Sequence, residues 1–227
     1  MSALLTLNNV SMHFRSKESR RHSVFDGIDL RLDVGECLAV VGRNGSGKST
    51  LLRVMARILA PTSGSVAWAP GVTASLLSLG LGFSPDLSGR DNAFLSCLLM
   101  GLSKKDAAQS LDNIEAFCEI GDFFNKPVRS YSTGMRARLG FGTALMNRSR
   151  VILSDETLSV GDAFFREKAR SALQQEFLEN RAVVLVSHAE PQIKQLSSRV
   201  VLLEKGKILS DGDPDSVLEE YAALPTQ

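Results

Sequence analysis

Nine consecutive residues constrain this chain more than any other part of it. Gly42-Arg43-Asn44-Gly45-Ser46-Gly47-Lys48-Ser49-Thr50 matches the pattern G-x-x-x-x-G-K-[ST], a loop whose backbone wraps a phosphate chain. Its flanks fit. Cys37 to Val41 is a short, wholly apolar run suited to a buried central strand. After the loop, Leu51, Leu52, Met55, Ile58 and Leu59 share one face of a helix predicted from Lys48 to about Leu59, with Pro61 closing it. Gly42, Gly45 and Gly47 let successive N–H groups point inward. The helix N-terminus adds partial positive charge where phosphates would sit. Lys48 can reach the β- and γ-phosphates, and the Ser49 hydroxyl can hold Mg²⁺. The bland alternative, a glycine-rich turn with a surface lysine, leaves both flanks unexplained.

A second element lies downstream. Val151-Ile152-Leu153-Ser154-Asp155-Glu156 is an apolar strand ending in two carboxylates. Apolar strands often end in acidic turn residues, so alone this signal is weak. Behind a phosphate loop it places Asp155 to hold Mg²⁺ and Glu156 to polarise an attacking water. Ser154 is an oddity in an otherwise apolar run.

The rest of the chain alternates strand and helix. Leu4 to Val10 and Ile28 to Val34 alternate apolar and polar, as half-buried strands do. Ala182 to Val186 is another buried strand. Arg199 to Glu204 and Lys207 to Ser210 form a predicted hairpin turning at Lys205-Gly206. From about Asp86 to Ser149 the periodicity is helical. Ser103 with Asp106 forms a capping box ahead of Ala107, Leu111, Ile114 and Cys118, and a second helix starts near Gly134 and carries Leu139, Phe141, Leu145 and Met146. Asp213 caps a last short helix that begins with Pro214. A formal charge of +1 gives no electrostatic argument for a nucleic acid partner. Three cysteines, Cys37, Cys97 and Cys118, lack C-x-x-C spacing and read as reduced, buried thiols of a cytosolic protein. No secretory start is visible. Ile58 to Pro85 carries no charge, but its prolines and glycines read as short strands and loops, not a membrane helix. His13 and His22 have no context and read as solvated. The basic run from Arg15 to His22 reads as a solvated hairpin tip.

A third element is the most specific. Tyr131-Ser132-Thr133-Gly134-Met135 opens a helix shortly before the acidic strand. A small hydroxyl and a glycine at a helix N-terminus form a second anion site. The stretch resembles the signature motif of ABC-type ATPases. The order also resembles that family: phosphate loop, helical insertion, signature, acidic strand, then Leu158-Ser159-Val160-Gly161-Asp162, then Ser187-His188. The resemblance covers nearly the whole chain. It implies an α/β fold, a phosphate-loop, RecA-like ATPase core with an antiparallel β subdomain and an inserted helical subdomain. The expected boundaries are 1–85 and 150–212 for the core with its β subdomain, 86–149 for the helical subdomain, and 213–227 for a C-terminal helix and tail. It implies ATP hydrolysis with ATP and Mg²⁺ as cofactors. Lys48, Glu156 and His188 are then catalytic. Phe14, Gly42, Asn44, Gly45, Ser46, Gly47, Ser49, Thr50, Ser84, Ser132, Gly134 and Asp162 bind nucleotide, and Ser49 and Asp155 hold the metal. Phe14 would stack on adenine, and Ser132 and Gly134 would cover the γ-phosphate held by a second copy in a head-to-tail dimer.

One departure narrows the branch. No glutamine occurs from Leu51 to Ala108, where the family usually carries one facing its membrane partner. Leu79 to Asn92 instead resembles the polysaccharide-exporting branch, with Ser84 at the glutamine position. Direct Mg²⁺ coordination from so short a side chain is in doubt, although a bridging water could serve. The resemblance implies export of a lipid-linked glycan through a membrane-spanning permease that handles the polysaccharide, from the cytoplasmic face of the inner membrane. The end at Gln227 implies the capsule-type or short O-antigen-type subunit. Leu76 to Phe83 and Phe94 are expected to contribute an apolar groove for a permease helix. Two other classes account for less. A chromosome-maintenance or repair ATPase would carry heptads between Thr50 and Tyr131, and a stand-alone kinase has no use for Tyr131 to Met135. Transport of another substrate also stays open.

Overall fold

The computed structural model describes residues 3–14, 22–77, 83–146, 149–155, 163–178, 181–187 and 189–225. Two sheets organise it. The smaller is antiparallel: β1 (Ala3–Phe14) lies between β2 (His22–Asp33) and β4 (Ser63–Trp68). The larger comprises β3 (Cys37–Val41), β5 (Ala74–Leu77), β6 (Val151–Asp155), β7 (Ala182–Val186), β8 (Arg199–Glu204) and β9 (Lys207–Gly212), in the order β5-β6-β7-β3-β8-β9. Strands β6, β7, β3 and β8 run parallel, and β9 folds back antiparallel. Every residue of β3 and β7 is buried. Burying each Val or Leu there is worth about 1.5–3 kcal/mol, which is why a central strand is apolar on both faces.

Strand β1 runs past the predicted end at Val10. Two successive exposed residues, Asn8 and Asn9, break the alternation, and Asn9 is left-handed at φ 48° with its N–H on Asp29 Oδ1 at 2.7 Å. This bulge resets the register, and the strand resumes through Met12 to Phe14. The hairpin from β8 to β9 turns at Lys205 (φ 47°) and Gly206 (φ 75°), the two left-handed residues that a type I′ turn needs.

Helix α1 (Lys48–Met55) ends earlier than predicted. Arg57 is left-handed at φ 59°, its N–H bonds Val54 O, and the Ile58 N–H bonds Arg53 O. That pair of bonds is a Schellman stop built without glycine. Ile58 therefore leaves the helix and is 60% exposed, against its predicted place on the buried face. Leu51, Leu52, Val54 and Met55 pack into one core with β1, β2, β3 and β7.

The chain divides into two compact units, one of Met1–Leu76, Ser149–Glu156 and Gln174–Gln227, the other of Leu77–Arg148 and Thr157–Leu173. In the second, α2 (Gly89–Leu99), α3 (Lys104–Cys118) and α4 (Thr133–Leu145) surround a core of Ala93, Cys97, Leu111, Ile114, Phe124 and Leu139. The helices α5 (Ala163–Leu178) and α6 (Glu190–Leu196) follow. Helix α7 (Pro214–Ala222) covers Val41, Val200 and Leu202 in the first unit. All three cysteines are free and buried, and burial pushes the Cys37 and Cys118 thiols up to about 12. No helix among the described residues is long and apolar enough to cross a membrane.

Candidate functional site

The parallel strands bring two of the sequence elements to one edge of the sheet. Val40 pairs with Val186, and Val186 pairs with Asp155. The phosphate loop thus leaves β3 at the edge where β6 ends on Asp155, two strand spacings or roughly 10 Å away. Ligands of open parallel sheets bind beyond these carboxyl ends.

The loop's own geometry is that of an anion cradle. Gly47, left-handed at φ 106°, caps α1 without any side-chain hydrogen bond, and the first turn holds no acidic residue. By contrast, α2, α3, α4 and α7 are capped by Ser88, Ser103, Ser132 and Asp213. The N–H groups that open α1 are therefore left for a ligand. The buried Ser46 hydroxyl has no hydrogen-bond partner among the described residues, which is a further unmet polar group in the cradle. The Lys48 ammonium is buried and donates to Gly42 O at 2.7 Å and Arg43 O at 2.9 Å. Phosphate oxygens would offer this ammonium charge-assisted hydrogen bonds, stronger than those to neutral carbonyls. Backbone packing demands glycine at Gly42, where a Cβ would lie 1.9 Å from Leu203 O.

A cavity of about 340 Å³ opens over this loop, lined by Phe14, His22, Val24, Asn44, Gly45, Gly47, Lys48, Ser49 and Thr50. Phe14 is 44% exposed at the end of β1, directly paired with His22. The smaller sheet is tied to the β8–β9 turn and to the loop. The Asp26 N–H bonds Gly206 O at 3.0 Å, and Gly47 packs so tightly on Val24 that a Cβ would lie 3.1 Å from Val24 Cγ1. The hairpin β8–β9 also anchors the loop from behind. Buried Glu204 accepts the Arg43 N–H at 3.4 Å and lies 3.9 Å from its guanidinium, which also donates to Pro225 O.

Among the described residues no cluster of three or more His, Cys, Asp or Glu could hold a metal alone. Ser49 lines the cavity, and Asp155 ends β6 at the same edge of the sheet. A hydroxyl and one carboxylate, completed by phosphate oxygens and water, are a donor set that suits Mg²⁺.

The second unit holds the signature. Ser132 caps α4, its Oγ accepting the Met135 N–H at 3.2 Å. Gly134 is helical, and a Cβ there would meet nothing closer than Ser132 Oγ at 3.8 Å. Nothing inside the described chain requires glycine at that position. Tyr131 is buried and donates to Phe123 O at 2.6 Å, and desolvation raises its phenol to about 12. Ser84 donates its N–H to Asn92 Oδ1 at 2.7 Å.

Glu156, Asp162 and His188 lie outside the described residues, as do Leu79 to Gly82 and Arg15 to Arg21. The position before His188 is tethered: the Ala189 N–H bonds Ser187 Oγ at 3.1 Å, and that hydroxyl donates to Gln192 Oε1 at 3.0 Å. Of the two histidines read as solvated, one needs correction. His13 is not simply solvated, since its Nε2 lies 3.1 Å from Asp26 Oδ1 and its side chain is mostly covered. His22 is exposed but lines the cavity. Periodicity could not reveal either, because cross-strand pairing sets both. Asn92 and Glu204 were missed as well, because each serves backbone groups that no periodicity marks.

Comparison with known proteins agrees with this geometry. The family model described as ABC transporter matches residues 25–159. The teichoic acids export ATP-binding protein TagH of Shouchella clausii is 37% identical over 92% of this chain, which spans 58% of that protein's length. The O-antigen export system ATP-binding protein RfbB of Klebsiella pneumoniae is 35% identical over 92% of the chain and 84% of its own length. The O-antigen export protein RfbE of Yersinia enterocolitica is 40% identical, covering 83% of this chain and 79% of its own. A dimeric ATP-binding cassette solved in a post-hydrolysis state with ADP and Pi superposes with a TM-score of 0.81 at 20% identity, over 92% of this chain and 98% of that one, which establishes the fold. On the loop, the strand order and these relatives together, the chain belongs to the ABC transporter family.

Proposed function

We propose that this chain is the ATP-binding and ATP-hydrolysing subunit of a transporter that exports a lipid-linked polysaccharide across the inner membrane. The uncapped start of α1, with Lys48 poised on the loop carbonyls inside a cavity walled by Phe14, is the observation that carries it. The loop N–H groups and Lys48 hold the β- and γ-phosphates. Asn44, Ser46 and Thr50 complete the cradle, and the Phe14 ring stacks on the base. Ser49 and Asp155 hold Mg²⁺, which neutralises phosphate charge when bound. Glu156 polarises the water, and His188 orients it against the γ-phosphate.

Ser132 and Gly134 close over the nucleotide of a second copy, with Asp162 at the same junction. The open space over Gly134 supports this, because the cost of a helical glycine has no return among the described residues. A membrane-spanning permease docks on the helical unit and handles the glycan, and the subunit sits peripherally on the cytoplasmic face. The names of the three export relatives support the glycan class. The test is purification with tagged subunit from bacterial membranes, followed by identification of the co-purifying protein and measurement of Mg²⁺-dependent ATPase. A multispanning partner and an activity abolished by Lys48→Ala are expected. Equal activity in Lys48→Ala, or a DNA-associated partner, rejects the reading.

A further inference from the structure

Asn92 is polar, lies in the first turn of α2 and is 3% exposed. Its amide makes four hydrogen bonds, all to backbone. Oδ1 accepts the Ser84 N–H at 2.7 Å, and Nδ2 donates to Ser84 O at 3.0 Å, Ser88 O at 2.9 Å and Leu87 O at 3.2 Å. One side chain thus closes the segment Ser84–Ser88 into a ring. Helix capping does not explain it. That task falls to Ser88, whose Oγ accepts the Asp91 N–H at 3.0 Å.

The outer edge of the same segment is bonded elsewhere. The Arg129 N–H bonds Pro85 O at 2.8 Å, the Val128 N–H bonds Leu87 O at 2.9 Å, and the Gly89 N–H bonds Lys126 O at 3.2 Å. This short ladder runs straight into Tyr131, whose phenol fills the space over Gly89, and then into Ser132, the cap of α4. From Ser84 to Ser132 the path is continuous in hydrogen bonds and buried packing.

We propose that Asn92 is a positioning residue that fuses the Ser84–Ser88 segment to the cap of the signature helix. A displacement of that segment by a membrane partner is then delivered to Ser132 and not absorbed in the loop. The inference rests on the transporter reading above, in which a partner meets this unit and Ser132 faces nucleotide. A bonded, rigid path is a physical basis for coupling, but only a measured coupling establishes it.

Two variants in the whole purified transporter test it. Asn92→Ala removes all four bonds. Asn92→Asp keeps an acceptor for the Ser84 N–H but withdraws the donors and faces three carbonyls with negative charge. Both should bind ATP within about twofold of wild type and keep basal ATPase, while the stimulation of the subunit by its membrane partner falls at least about fivefold, the low end of ordinary coupling energies. On the subunit alone, hydrogen exchange at the Ser84, Val128 and Arg129 amides should accelerate together by about tenfold or more in Asn92→Ala, with β3 and α1 unchanged. Full stimulation in both variants overturns the proposal. So does faster exchange at Ser84 alone, which would mean the segment is not fused. A loss of ATP binding in step with the loss of stimulation assigns Asn92 to folding only, and overturns it too. A wild-type subunit without ATPase would instead sink the transporter reading, and the exchange experiment would still decide the clamp.

Discussion

Single residues divide into those with a reason inside the chain and those without one. Gly42 has an internal reason, since Leu203 O occupies the space of a side chain. Gly134 has none among the described residues, and this separates stability from activity. Gly134→Ala should raise the thermal stability of the isolated subunit by a few tenths to about 1 kcal/mol, because alanine is the better helix former. The same variant should lower ATPase, because a methyl group would stand where the second copy's nucleotide approaches. A melt and a steady-state assay on one preparation check both, and higher stability with full activity would remove Gly134 from the composite site. Glu156 belongs at this scale too. Glu156→Gln should cut turnover about 10²–10⁴-fold, the usual worth of a general base, with ATP affinity kept by Lys48 and the loop amides. Near-normal turnover would exclude it as the group that polarises water.

At the scale of elements, the tightest contact in the joint between α2 and the signature is that of Gly89 with Tyr131. A Cβ on Gly89 would fall 2.1 Å from the Tyr131 hydroxyl. Gly89→Ala should therefore destabilise the second unit by about 1–3 kcal/mol through overpacking. Tyr131→Phe should cost about 0.5–1.5 kcal/mol, because Phe123 O loses the phenol but keeps the Lys126 N–H at 2.8 Å. The double variant should be less destabilised than the sum, because removing the hydroxyl relieves the clash. Denaturant midpoints of the four proteins give this directly, and strict additivity would show that the hydroxyl is not what Gly89 avoids. Neither Gly89 nor Asn92 carries periodicity or a charge pattern. Gly89 answers to Tyr131 and Lys126, far along the chain, whereas Asn92 answers to backbone groups at 84–88 just before it.

For the whole molecule, burial of Cys37, Cys118 and Tyr131 sets an alkaline limit. Their acids are raised from 9.0, 9.0 and 10.0 to about 12, chiefly by desolvation. The folded state holds these protons more tightly than the unfolded one. Stability is fully present below about pH 9 and falls as pH rises toward 12. Cys37→Ala should flatten the first part of that fall, measured as melting temperature against pH, whereas an unchanged slope would discount Cys37. Assembly gives a second prediction. Lys48→Ala and Gly134→Asp should each abolish activity as homodimers. A mixed dimer pairs the intact Lys48 of one chain with the intact Gly134 of the other, so random mixing should restore up to about a quarter of wild-type sites, and doubly tagged complexes, all of them mixed, up to about half. Doubly tagged complexes, assayed for ATPase and for vanadate trapping of nucleotide, test this. No recovery by either measure would place both motifs in one chain's site.

The phosphate loop, the acidic strand, the signature and the alternation of strands with helices were all legible in the chain itself. Each depends on local chemistry: glycine freedom beside a lysine, an apolar run ending in carboxylates, a hydroxyl ahead of a helix. The family followed from their order. What only the tertiary structure decided depends on partners far apart in sequence. Arg57 ends α1 in a conformation usually left to glycine, which no stop signal announces. Asn8 and Asn9 reset β1 and carry Phe14 to the cavity beside His22. Glu204 holds Arg43 from 161 residues away. A residue's local preference is written in its side chain, whereas the partner that satisfies a buried polar group is chosen by the fold.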